Sequence, residues 1–333
     1  MTNAVVASAP GKVVLSGEYA VLDGAPAICM AVDRRARAAL TEISGNICKV
    51  RAPSYTDVSG RFESSDDGIR WHDGQAVFGI VDSVWRASDV QLHHGRAIDL
   101  DTSEFIDSES GRKTGIGSSA ALTVALCAAV RGSADAATII AIAQRAHADL
   151  QAGSGSGADI ACSLSGGLID YRMEGSAVTN LDWPEGLLYR LIWSGVPAST
   201  RDQLSKLGAS ISLPSRVRLA GASERMAGNW HDGNADQIIE GYREYNEYLH
   251  RFSIDHELGI FDAGHDELWR AASAASLIYK PCGAGGGDVG IVLGTDEAAL
   301  DNFTSKLTAK HAVLDCKLSG VGAVIETSEA ETE

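Results

Sequence analysis

Glycine placement is what most restricts the folding of this chain. Nearly half of its 36 glycines fall in about a sixth of the 333 residues, in four windows at 8–24, 111–121, 153–167 and 280–294. Glycine tolerates positive φ and lets backbone approach a ligand closely. One such cluster would read as a tight turn. Four, set beside apolar segments, read as loops that wrap something.

Composition narrows what that something is. There are 44 acids against 28 bases, a net charge of −16. This argues against general binding to nucleic acid or to an anionic membrane. With 45% apolar and 22% charged residues the chain is in the globular range, and its length suits one large or two medium domains. No stretch approaches the roughly 20 apolar residues that cross a bilayer. The N-terminus, MTNAVVASAPGKVVLSGEY, lacks the basic flank of a signal peptide, so a cytoplasmic location is expected. Cys29, Cys48, Cys127, Cys162, Cys282 and Cys316 are scattered without a CxxC pair and read as buried free thiols.

Residues 5–51 read as successive strands, VVLSG, AVLDG, AICMAV, ARAALTEI and ICKVRA. In 76–88, Val77, Ile80, Val81, Val84 and Trp85 share one helical face. RAIDLDTS and GGLIDYRM read as strands, and GSSAALTVALCAAVRG and ADAATIIAIAQRAHADLQ as helices, the first apolar enough to be buried. Asp182 to Gly186 punctuates the chain, giving expected domains 1–184 and 185–333. Beyond it LLYRLIWSG, SLIYK, DVGIVLG, AVLDCKL and AVIET read as strands, and helices are expected near 213–228, 235–252, 261–274 and 296–310. This is an α+β layout of antiparallel strands backed by helices. The acidic tail TSEAETE reads as frayed.

The strongest motif is GRKTGIGSSAA at 111–121, which follows a strand and opens a helix. Glycines there let N–H groups converge, and the helix dipole favours an anion. Ser118 and Ser119 are suited to cap the helix, to donate to phosphate oxygens or to hold Mg2+. Neither GxxxxGK[ST] nor GxGxxG describes this loop. SAPGKVVLSGEY places Lys12 in an apolar neighbourhood, GSGSGAD places Asp159 just past a flexible loop, and KPCGAGGGD does the same for Asp288. His147, one helical turn before Gln151, reads as a structural hydrogen-bonding residue. There is no zinc spacing and no GxSxG elbow with a plausible triad.

Taken together, SAPGKVVLSGEY, GIGSSAAL and CGAGGGDVGIVL resemble the three motifs of the GHMP kinase superfamily, in order, across residues 8–294. The resemblance implies a GHMP kinase fold: an N-terminal domain like ribosomal protein S5, with a left-handed βαβ unit, and a ferredoxin-like C-terminal domain. It implies ATP in the cleft between them. It assigns catalysis to Lys12, Asp159 and Ser119, with Mg2+ on Ser119. The ATP cradle would be Lys113, Gly115, Ile116, Gly117, Ser118, Ser119 and Ala120. Acceptor contacts would come from Lys12, Glu18, Tyr19, Lys113, Ser156, Asp159, Thr200, Arg201, Gly285 and Gly286.

Within the superfamily the chain is most similar to phosphomevalonate kinases, with mevalonate kinases next. The basic pair Arg112–Lys113, Asp288 in the third motif, the AH…Q element before GSGxD and WSGVPASTRDQL all lean that way. The metal-binding Glu that mevalonate kinases carry eleven residues before the catalytic Asp has Ala148 in its place, leaving Mg2+ to Ser119, phosphates and water, or to a displaced group such as Asp149. The expected reaction is phosphorylation of (R)-5-phosphomevalonate to the diphosphate. The alternatives are phosphorylation of the mevalonate 5-hydroxyl and a catalytically silent sensor. The expected partners are ATP and a small anionic acceptor, with a homodimer left open.

Overall fold

The structure is a computed structural model that describes residues 4–65, 68–91, 94–151, 155–198, 203, 206–207 and 214–326. Thr200, Arg201 and the acidic tail, about which the sequence carries expectations, lie outside the described residues.

β1 (Ala4–Ser16) runs antiparallel to β2 (Ala27–Glu42). AICMAV and ARAALTEI, which read as two strands, are this single β2. Its length is used by two partners: β7 (Leu168–Arg172) along Ala27–Met30, and β6 (Arg96–Asp101) along Arg37–Glu42. AVLDG is not a strand but a tight helical turn over Ala20–Asp23, entered by Tyr19 at φ 60 and closed by Gly24 at φ 88. The sheet continues through β3 (Ile47–Ala52), β4 (Thr56–Ser65) and β5 (Gly68–Asp73), with β8 (Ala177–Leu181) beside β7. Pairing is antiparallel except between β3 and β6. Four helices pack with it: α1 (Gly79–Ser88), α2 (Ser118–Arg131), α3 (Ala136–Leu150) and α4 (Ala158–Ser165). α2 is buried along most of its length, as its nearly all-apolar sequence demands.

The second sheet is built from β9 (Leu188–Trp193), β10 (Ile278–Pro281), β11 (Val289–Gly294) and β12 (Ala312–Leu314). Its order is β10-β11-β9-β12, so its first strand lies between its third and fourth. The helical hairpin α5 (Pro214–Asp232) and α6 (Ala235–Asp255), then α7 (His265–Ala274), separate β9 from β10, and α8 (Glu297–Thr304) separates β11 from β12. That is the ferredoxin-like arrangement. The last described strand, β13 (Val324–Glu326), returns to pair with β1. We propose the boundary between domains at 184/185, between β8 and β9, with β13 reaching back. The two halves share a core: Val13, Leu15 and Ile28 belong to one buried cluster with Trp230, Tyr242, Phe252 and Ile291.

All six cysteines are free and buried. No helix among the described residues is long and apolar enough to cross a membrane.

Candidate active site

Lys12 lies midway along β1, and its N–H donates to the Ile116 carbonyl at 2.8 Å, docking the second glycine loop on the first. The fit is tight, since a Cβ on Gly11 would fall 2.5 Å from that carbonyl oxygen. Ile116, expected at the nucleotide, buries its side chain and serves as this anchor. Gly117 begins α2 at φ 89, and no side chain caps the helix. The first-turn N–H groups therefore face no side-chain cap, and the dipole there favours an anion. Ala120 is buried and can offer only its backbone there.

The Lys12 side chain runs along this loop, its Cγ and Cε each 3.0 Å from where a Cβ on Gly117 would sit. Its charge is felt by two carboxylates, Asp159 and Asp288. Burial pushes the Asp159 carboxyl up, but His147, Lys12 and the Ile160 N–H (3.0 Å) outweigh it and hold the group below the ordinary carboxylate range. Burial pushes Asp288 up, and there it wins over the Ala198 N–H (3.0 Å), Lys12 and Lys113. Asp288 takes φ 56 and presses on the second loop, where a Cβ on Gly115 would overlap its side chain. Arg112 reaches the Gly195 carbonyl at 3.2 Å, tying the same loop to the segment after β9.

His147, expected as a structural hydrogen-bonding residue, lies between two helix starts, with Nε2 3.4 Å from Ser119 Oγ and Nδ1 3.7 Å from Asp159 Oδ2. The signal was the lone His in an apolar helix; its partners come from α2 and α4, which no local spacing shows. Asp149, considered as a displaced metal ligand, faces α1 instead. It accepts from Ser83 Oγ at 2.7 Å and pairs with Arg86 at 3.1 Å. Among the described residues no group of three His, Cys, Asp or Glu could hold a metal.

Two hollows lie by these groups, one lined by Lys12 and the other by the start of α2. The first, of about 650 Å³ with its open mouth, is lined by Lys12, Asp159 and Ser156, by Gly17 to Tyr19, and by Gly283 and Ala284. The second, about 1210 Å³, is lined by Ser118, Ser119 and Lys113 and by the apolar Val77, Ile80, Leu100 and Leu122. Lys113, expected at both substrates, lines only this second hollow, its ammonium 4.8 Å above the exposed Tyr55 ring. Ser156 is at the first hollow, held by Tyr171, whose hydroxyl donates to its carbonyl at 2.8 Å. Glu18 floors that hollow, but both its oxygens are taken, by Lys280 and by Tyr245. Tyr19 donates to the Ala284 carbonyl at 2.6 Å. Gly285 and Gly286, expected at the acceptor, pack instead against Ile260 and Gln203, so the third motif reaches the hollow through Gly283 and Ala284.

Residues 80–167 match the N-terminal domain of GHMP kinases. A phosphomevalonate kinase of Streptomyces sp. (strain CL190) is 31% identical, over 89% of this chain and 91% of that one. Another, from Saccharolobus solfataricus, is 29% identical over 87% and 90%. The solved structure of Streptococcus pneumoniae phosphomevalonate kinase in complex with phosphomevalonate and AMPPNP superposes with a TM-score of 0.77, at 16% identity, covering 94% of this chain and 99% of that one. An uncapped helix start beside a lysine suits a phosphate, and with relatives alike along nearly their whole length the chain belongs to the GHMP kinases and is a phosphotransferase.

Proposed function

We propose that this kinase transfers the γ-phosphoryl group of ATP to (R)-5-phosphomevalonate, forming the diphosphate and ADP. The observation that carries the choice is the likeness along nearly the whole chain to two phosphomevalonate kinases, and it agrees with Asp159, held below the ordinary carboxylate range by His147 and Lys12 against its burial. Such a group orients a lysine well and takes up a proton poorly. An alcohol acceptor benefits from a base. A phosphomonoester, with its second pKa near ~6, is already mostly dianionic at neutral pH and needs none. What it needs is neutralisation, since two unit charges ~4 Å apart repel by ~4 kcal/mol at an effective dielectric of ~20.

In this reading the acceptor occupies the first hollow and the nucleotide the second. The N–H groups at the start of α2 hold the ATP phosphates, and the apolar side chains of the second hollow take the base. Lys12 stabilises charge on the group in transfer, and Asp159 keeps Lys12 in place. Ser119 Oγ is the protein donor suited to Mg2+, with nucleotide phosphates and water completing its shell; the ion would offset phosphate charge. Thr200 and Arg201 remain proposed acceptor contacts.

The test offers Mg-ATP with phosphomevalonate, mevalonate, diphosphomevalonate or homoserine and follows ADP release. Release with phosphomevalonate is expected. Turnover of mevalonate alone would make it a mevalonate kinase, a reading favoured by the Methanothermobacter thermautotrophicus mevalonate kinase, 36% identical over 49% of this chain and 48% of that one. ATP binding without turnover of any acceptor would point to a sensor.

A further inference from the structure

Two charged side chains that the transfer chemistry does not use lie buried beneath the first hollow. Lys280 on β10 is fully buried and the Glu18 side chain is 1% exposed, and they pair although 262 positions apart, one from each half of the chain. Lys280 Nζ holds Glu18 Oε1 and also lies 3.4 Å from the Val14 carbonyl. The Tyr245 hydroxyl donates to Glu18 Oε2 at 2.7 Å and accepts the Gly17 N–H at 2.8 Å. Burial, with Glu18 beside it, pushes that phenol well up, so it stays a donor.

A buried ion pair is weak evidence for stability, because desolvation offsets most of the attraction and apolar replacements of similar shape are often as stable. Its place is more telling. Glu18 sits between Gly17 and Tyr19 on one wall of the hollow, and Lys280 leads into Gly283 and Ala284 on the other. We propose that Glu18 and Lys280 are a positioning pair that sets the spacing of these two walls and thereby the binding of the acceptor, without touching the reacting atoms. This rests on reading the first hollow as the acceptor pocket.

The test is the double variant Glu18→Gln/Lys280→Met, which removes both charges, leaves no unpaired ion and keeps an acceptor for Tyr245. It is assayed on whichever acceptor the wild type phosphorylates, so a different acceptor from the one proposed would not disturb it. The expected result is a thermal midpoint near that of the wild type, KM for ATP within about twofold, and KM for the acceptor raised about tenfold or more. A stable double variant with wild-type acceptor KM would overturn the proposal, as would an equal rise in both KM values. Should that variant not fold, Tyr245→Phe carries the same test, since it releases Gly17 and one oxygen of Glu18. A rise in acceptor KM alone supports the pair, and an unchanged acceptor KM sinks it.

Discussion

At the scale of single residues, the site is a lysine whose charge is felt by two carboxylates that differ in character. Asp159 is kept low by His147 and Lys12, while Asp288 is pushed up by burial. If Lys12 and Asp159 act on the group in transfer and not on nucleotide binding, Lys12→Ala and Asp159→Asn should each lower kcat more than about tenfold and leave the Kd for ATP within about twofold. Single-turnover rates with nucleotide binding by calorimetry would show it, and a matching loss of ATP affinity would contradict it. His147 makes a finer case, because it spans Ser119 and Asp159. Replacing it with Leu removes both contacts, so kcat should fall about tenfold; Gln, with an amide able to reach Ser119, should recover part of that. Steady-state rates normalised to titrated active sites check this, and equal loss in both variants would mean that the imidazole only fills space. That Lys12 and Asp159 come to one hollow was legible because each is a lone charge beside a glycine-rich loop. The partners of His147 were not, since they meet it only where three helices converge.

At the scale of elements, the phosphate loop was readable and its surroundings were not. A strand, then glycines and serines, then an unbroken apolar run can hardly be other than a loop opening a buried helix, and α2 is that helix. The hairpin of β4 and β5 was unread because TDVSGRFESS and GIRWHD carry few apolar residues to alternate. The third motif was half read. Its glycines are needed, but Gly285 and Gly286 serve close packing against Ile260 and Gln203. Two glycines on α2 separate strain from function. Gly132 ends the helix at φ 61 with open space where a Cβ would be, whereas Gly117 begins it at φ 89 with Lys12 3.0 Å from that point. Alanine at either position costs about 1–2 kcal/mol of left-handed strain. Gly132→Ala should therefore lower only stability, while Gly117→Ala should also weaken ATP binding about tenfold by displacing Lys12 and the first-turn N–H groups. Denaturant midpoints beside nucleotide titrations separate the two, and equal ATP affinity in both variants would remove Gly117 from the cradle.

At the scale of the molecule, the two sheets act as one body because buried polar links cross the shared core. Tyr242 donates to the Leu15 carbonyl at 2.9 Å, and Lys280 grips Glu18. The third glycine loop is fixed to the second sheet by His265, whose fully buried ring meets the Gly287 carbonyl through Nε2 at 2.9 Å and the Tyr279 hydroxyl through Nδ1 at 2.7 Å. Burial keeps the Tyr279 phenol protonated, so it donates to Nδ1 and the ring donates through Nε2–H. A neutral ring satisfies both bonds as they stand, and a protonated one keeps them only if the Tyr279 hydroxyl turns to accept. Burial first, with His311 and Lys280 nearby, brings the His265 pKa down from 6.5 to about 4, despite the Gly287 carbonyl. The unfolded chain thus binds this proton more readily than the folded one. The contribution is intact above pH 6.5 and is lost as pH falls towards about 4. A difference of about 2.5 units corresponds to roughly 3 kcal/mol, of which about 2 kcal/mol is gone by about pH 5. Urea unfolding at about pH 7.5 and 5 should show that loss in the wild type. His265→Gln should be less stable at the higher pH, with the third loop loosened, yet should lack that share of the acid slope. Equal slopes in the two proteins would mean that His265 titrates as freely folded as unfolded, and the clamp on the third loop would have to be sought in another group.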